Sequence, residues 1–333
     1  MKKNFQLVIM CCLVILITDA CKKDKAVEPP VVPPIVENSL PSGAVSNIRL
    51  NNKSSSTLEF TIDITVFRDS KNIENQLKAE SFSMDTLVVS STRYFFNRVN
   101  VNAVAGGSST AYSALMLMDQ SGSILTTDPK DYRIEAAKAF CNNLGQGDNV
   151  MLWSFAGSTQ KKYGTGFTGN GSSLIPDIEG LNGNEGGATP LYKSQYAVTN
   201  FAATSAPSAN KAIMTFTDGE DTEGGYTSQQ VIDNAIAKNV KLFNVGLGSA
   251  QIQTLSNQAA ATGGAFMFAQ DARQLISMFG NLGKLLNGTA QYYRTSWKIT
   301  RNSGSFGTGI LSHKVRIVLP YNMEVSVPFS ISY

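Results

Sequence analysis

Ser113-Ala-Leu-Met-Leu-Met-Asp119-Gln-Ser121-Gly-Ser123 is an apolar run of strand length that stops in a turn carrying one carboxylate and two hydroxyls. A short continuous apolar run, rather than an alternating one, marks a strand covered on both faces, as in a parallel sheet. Three side-chain oxygens spaced two apart on a turn can converge on one point. Hard oxygen donors that converge in this way suit Mg²⁺. Asp and Ser are also ordinary turn residues, so the pattern alone is weak.

Two later segments strengthen it. Gly186-Gly-Ala-Thr189-Pro190-Leu-Tyr192 opens a helical pattern, and Ala212-Ile-Met-Thr-Phe-Thr217-Asp218-Gly219 is a second buried strand ending in a carboxylate and a glycine turn. Between and after them strand and helix alternate. Helices are expected over about 131–144, 189–204, 228–238, 251–261 and 272–286. Strands are expected at 149–155, 241–246 and 265–269. Such alternation gives a doubly wound, mostly parallel sheet with helices on both faces, an α/β fold of Rossmann-like architecture. Open parallel sheets bind ligands beyond the carboxyl ends of their strands, where Asp119 and Asp218 both lie.

In this order the three segments resemble the metal-ion-dependent adhesion site (MIDAS) of the von Willebrand factor type A family, over roughly residues 110–288. The resemblance implies direct metal ligation by Ser121 and Ser123. It places Asp119 and Asp218 close by, often through water, and has Thr189 ligating directly or through water. The implied ion is Mg²⁺, or Mn²⁺ or Ca²⁺ in its place. Two carboxylates and three neutral hydroxyls roughly balance a divalent ion and leave it electrophilic, open to an acidic group from a protein partner. That is a binding design rather than a catalytic one.

The start of the chain reads as an address. Lys2 and Lys3 precede an apolar run from Phe5 to Ile17, too short to span a bilayer comfortably and long enough for a signal sequence. Thr18-Asp19-Ala20-Cys21 then looks like a bacterial lipobox, with residues 1–20 removed and Cys21 lipidated. The Cys-Lys-Lys-Asp start resembles lipoproteins of the Bacteroidetes type, which implies a lipid-anchored protein of the cell envelope, at the outer membrane. Residues 21–42 are proline-dense and read as a semi-rigid tether, extended at about 3.1 Å per residue. Of the four cysteines, only Cys141 would then remain unmodified. Placed in a helical pattern, it reads as a buried structural thiol.

The flanks read as β structure. Residues 58–67 alternate apolar and polar, and 86–90 and 94–104 are weaker strand candidates. At the other end, 293–300, 315–319 and 325–333 are strand-like, with a turn at Pro320-Tyr-Asn322 and an edge-strand marker in Pro328. Short sheets need partners, so the N-terminal segment (43–105) and the C-terminal segment (289–333) are expected to pack together. They would form one antiparallel β-sandwich beside a metal-site domain at 106–288.

Charge points to no polyanionic partner. Twenty-eight basic and 25 acidic residues give a net +3 without a basic stripe, so nucleic acid is not indicated. A Ser-His-Asp hydrolase would need the single histidine, His313, beside a nucleophile, although it lies in the C-terminal β segment. A haloacid-dehalogenase-like Asp119 would want a second Asp where Ser121 stands. A structural subunit of an envelope complex is an alternative that the sequence does not separate from adhesion. Asp221 and Glu223 read as a solvated acidic turn, Trp153, Trp297, Tyr292 and Tyr293 as core, and the Gly-rich loop 164–187 as either a specificity loop or a long mobile connection.

Overall fold

The computed structural model describes residues 39–333. The expected signal sequence, the expected lipidation site Cys21 and nearly all of the expected tether lie outside these residues. In chain order the strands are β1 (Ser42–Lys53), β2 (Thr57–Phe67), β3 (Phe82–Ser83), β4 (Leu87–Val89), β5 (Thr92–Val104), β6 (Ser113–Asp119), β7 (Asn149–Ala156) and β8 (Thr159–Lys162). They continue with β9 (Lys211–Thr217), β10 (Val240–Leu247), β11 (Ala265–Ala269), β12 (Tyr292–Arg301), β13 (Ile310–Val318) and β14 (Glu324–Ser332). The helices are α1 (Ile124–Thr127), α2 (Tyr132–Cys141), α3 (Ile175–Glu179), α4 (Leu191–Ser205), α5 (Ser228–Ala237), α6 (Ile252–Thr262) and α7 (Gln274–Leu286).

Strand β6 shows why its run is apolar throughout. Ala114, Met116 and Met118 face a layer that includes Phe140 of α2 and Leu275 and Leu282 of α7. Leu115 and Leu117, alternating with them, face Val198 of α4, Val231 of α5 and Leu255 of α6. Both sides are sealed by helices, so period-two polarity has no place there. Strands β11, β10, β9, β6 and β7 lie in that order and run parallel. Strand β8 closes one edge antiparallel to β7.

The flanks share one core and pack as two antiparallel layers, as expected, and one of those layers is continuous with the parallel sheet. Strand β1 pairs antiparallel with β11, Ala44 opposite Met267, so β1, β2, β12, β5 and β4 extend the parallel sheet into a single sheet of eleven strands. The reason is physical: β11 would otherwise expose a row of unpaired backbone groups. A second, three-stranded sheet in the order β14-β13-β3 packs on the extension, with β3 from the N-terminal flank pairing β13 from the C-terminal flank. Phe60, Trp297, Val315 and Phe329 fill the space between the sheets, the Phe60 and Phe329 rings 5.7 Å apart. Pro328 sits on the edge strand β14, where its missing N–H costs no ladder bond.

Helix α7 is fastened to this extension. Gln274 Nε2 donates to the Pro41 carbonyl at 2.9 Å, and Asn281 Nδ2 donates to that of Asp69 at 2.5 Å. A Cβ on Gly280 would lie 2.2 Å from the Ser70 carbonyl oxygen. The predicted tether therefore ends early, since Leu40 and Pro41 are already bound to α7. The 164–187 loop is also more ordered than a mobile connection. It holds a 3₁₀ turn (Gly171–Leu174) and α3, with Leu174, Ile178 and Leu181 buried in the main core.

Candidate metal-binding site

The site sits where β6 and β9 end. Asp119 is the last residue of β6, and Asp218 follows β9 directly. Both are fully buried. Asp119 Oδ1 accepts the Ser121 backbone N–H at 2.8 Å, and Oδ2 accepts the Thr217 hydroxyl at 2.6 Å. Ser121 Oγ lies 3.1 Å from Ser123 Oγ, which in turn donates to Asp218 Oδ1 at 2.7 Å. The Thr127 hydroxyl donates to the other oxygen, Oδ2. Thr189 comes from a third segment, and Gly219 shows how near it lies: a Cβ there would be 3.6 Å from Thr189 Oγ1 and 3.9 Å from Ser123 Oγ. All five residues singled out in the sequence are thus brought to one place.

Backbone bonds hold the two loops in register. Gly186 N donates to Gln120 O at 2.8 Å and Gly122 N to Gly187 O at 3.1 Å. Gly187 has φ +78°, and a Cβ on it would meet the Gly157 Cα at 2.9 Å, so this close approach needs glycine. Thr189 is fixed from both sides, its N–H donating to Thr222 Oγ1 at 2.8 Å while its carbonyl accepts the Thr222 N–H at 3.0 Å. Beneath the loops lies the fully buried Arg133 guanidinium, which binds Asp128, Asp131, Glu185 and Gln120. It ties the β6 loop and the segment leading into Thr189 to a common cation.

Burial pushes the Asp119 carboxyl up from 3.8 to about 6, against hydrogen bonds from Thr217 and Ser121 that lower it, with a small further rise from Asp218. None of the groups that shift it is cationic. The donor set is two carboxylates and three hydroxyls, all hard oxygens, with no sulfur or imidazole, and it fits a hard divalent cation. Among the described residues no three His, Cys, Asp or Glu side chains cluster as a metal site, so any ion here depends on the hydroxyls.

The model of the von Willebrand factor type A domain matches residues 115–281. The chain belongs to that family. Domains of the von Willebrand factor type A family are for the most part interaction modules, and no catalytic family is indicated. No curated protein matches the chain. Among solved structures it is similar to von Willebrand factor type A from Catenulispora acidiphila, at 12% identity over 88% of this chain and 74% of that one, TM-score 0.46. It is also similar to the vWF domain of the type V pili tip protein Mfa5 from Porphyromonas gingivalis, at 14% identity over 54% and 96%, TM-score 0.44. A third is proximal thread matrix protein 1 from the mussel byssus with a zinc-occupied MIDAS motif, at 16% identity over 54% and 49%, TM-score 0.46.

Other sequence readings are settled by their surroundings. The Asp221 carboxylate is not simply solvated: Oδ1 accepts the Tyr192 N–H at 2.9 Å, so it satisfies the first turn of α4, the positive end of that helix. Glu223 is exposed. Trp297 and Tyr293 are core, while Tyr292 and Trp153 are only partly buried, Trp153 with its ring 5.4 Å from Phe201. His313 stacks on Phe96 at 4.4 Å, with Nε2 2.9 Å from the Asp85 carbonyl, in the three-stranded sheet rather than beside Asp119. Thr127 and Thr217 were not among the predicted site residues. Thr217 could have been read from its place beside Asp218 at the end of an apolar strand. Thr127 carries no such signal.

Proposed function

We propose that this protein is a metal-ion-dependent binding module of the cell envelope, lipid-anchored through Cys21 at the outer membrane. Asp119, Ser121, Ser123, Thr189 and Asp218 hold a divalent cation, Mg²⁺ or alternatively Mn²⁺ or Ca²⁺. A protein partner completes the shell with a carboxylate. The observation that carries this reading is the convergence of the five oxygen-bearing side chains, from three separate loops, at the carboxyl ends of β6 and β9.

Each residue has a distinct task. Ser121 and Ser123 present neutral oxygens, which add no charge and leave the bound ion attractive to an incoming anion. Asp119 and Asp218 supply the charge from beneath, each already oriented by hydroxyl or backbone donors. Thr189 enters from the Gly-rich loop, and its double tie to Thr222 fixes where its side chain starts. The ion would supply a Lewis-acidic point for the partner's carboxylate.

The test is retention of the purified protein on an immobilised native envelope fraction, in Mg²⁺ and in chelator, with Asp119→Ala as control. Retention in Mg²⁺ that is lost in chelator and in the variant is expected. Equal retention in all three removes the metal from the account. The anchor is tested separately by labelled fatty-acid incorporation, which Cys21→Ser should abolish.

A further inference from the structure

Thr127 lies outside the sequence motif, yet it touches the site as closely as any motif residue. Its hydroxyl donates to Oδ2 of Asp218, while Ser123 Oγ donates to Oδ1 at 2.7 Å. Asp218 is fully buried, so each of its oxygens needs a donor from the protein. Both donors come from one local structure: Ser123 is the N-cap of α1, and Thr127 is the last residue of that single turn. The Thr127 N–H donates to the Ser123 carbonyl at 3.1 Å, so one backbone bond fixes the spacing of the two hydroxyls.

Thr127 is also held from behind. Gly248, with φ +61°, offers a bare backbone there, and a Cβ on it would lie 3.2 Å from Thr127 Cγ2. The next residue, Ser249, donates its hydroxyl to the Asp218 carbonyl oxygen at 2.9 Å. The turn after β10 therefore backs both Thr127 and Asp218, and a fourth chain segment takes part in the site.

We infer that Thr127 is a positioning residue of the metal site: by donating to Oδ2 of Asp218 it keeps Oδ1 of that carboxylate turned toward Ser123, and so sets how tightly the cation is held. This rests on the metal reading proposed above. Without the hydroxyl, Oδ2 of a buried carboxylate has lost its donor, and the group turns to recover one. Its alignment with Ser123 is then lost. Partners that orient metal ligands typically matter by about 10–100-fold in metal affinity. Valine keeps the shape of threonine and removes only the donor.

The test is calorimetric titration of the protein with MgCl₂ and MnCl₂, comparing the unaltered chain with Thr127→Val, Thr127→Ser and Thr126→Val, alongside thermal melts in chelator. Thr126 is an exposed neighbour on the same turn, for which no side-chain bond to the site is seen. The expected result is roughly tenfold weaker binding by Thr127→Val, affinity restored by Thr127→Ser and unchanged by Thr126→Val. If the valine variant melts without a cooperative transition, Thr127→Ala is titrated in its place. Unaltered affinity in the valine or alanine variant overturns the inference, as does a serine variant that fails equally. Absence of binding by the unaltered chain overturns the metal reading itself, and this inference with it, a failure visible before any variant is made.

Discussion

Replacing Asp119 by Asn should stabilise the metal-free protein while removing its response to metal. Asp119 is fully buried, and burial is the main reason that its carboxyl is pushed up from 3.8 to about 6. The rise is about two pH units, and at about 1.36 kcal/mol per unit it costs the ionised fold about 3 kcal/mol. Because the folded value is raised, the proton's contribution to stability is complete below about pH 3.8 and is lost as pH rises through about 6. At pH 8 the metal-free protein therefore bears the whole cost. Asn has the same shape, its carbonyl can accept the Ser121 N–H, and its amide can donate to Thr217 Oγ1. Allowing for the lost charge-assisted bonds, the gain at pH 8 in chelator should be about 1–3 kcal/mol, or roughly 2–6 °C in melting temperature. Melts of both proteins in chelator from pH 4 to 8, repeated with Mg²⁺, check this. The advantage of Asp119→Asn should shrink toward pH 4, and Mg²⁺ should raise the melting temperature of the unaltered protein alone. A variant less stable than its parent at pH 8 in chelator, or a difference independent of pH, would refute the reasoning.

Three further outcomes are expected. Burial pushes the Cys141 thiol up to about 12, so it should resist alkylation at pH 8 in the native protein and react fully once the chain is unfolded; rapid labelling of the native protein contradicts this. His313 is the chain's single histidine, and burial lowers its pKa from 6.5, so its imidazole resonances should titrate below an ordinary histidine's. The neutral ring then favours the fold at neutral pH, and this contribution fades as pH falls through the depressed value. Gly280→Ala should destabilise by more than about 2 kcal/mol in denaturant titration, because its Cβ would collide with the Ser70 carbonyl and lever α7 off the flanking sheet; a change near zero would show that the segment moves freely.

Much of the fold was legible because its strands are buried on both faces and its helices bury one. The runs at 114–118 and 212–217 carry that signature, and the structure places them side by side in the sheet. Strand β1 was not legible. Its second half, Asn47 to Lys53, is mostly polar and exposed, with only Ile48 and Leu50 apolar, and the pairing of its first half, Ala44 to Ser46, comes from the need of β11 for a partner. Strand β8, Thr-Gln-Lys-Lys, is a polar edge whose assignment depends on its pairing with β7. The helix α3 did leave a trace: Leu174, Ile178 and Leu181 follow the helical spacing, though the surrounding Gly, Asn and Ser obscured it. At the site, Asp119, Ser121, Ser123, Thr189 and Asp218 were found because they end apolar strands or stand in glycine turns. Thr127 was not, because its relation to Asp218, 91 positions away, exists only after folding.

The most direct measurement is a crystal soaked in MnCl₂ with diffraction recorded at the manganese edge. An anomalous peak among Ser121, Ser123, Thr189, Asp119 and Asp218, absent from Asp119→Ala crystals treated alike, is the expected result. A map with no peak there, or a peak that survives the substitution, would contradict the account.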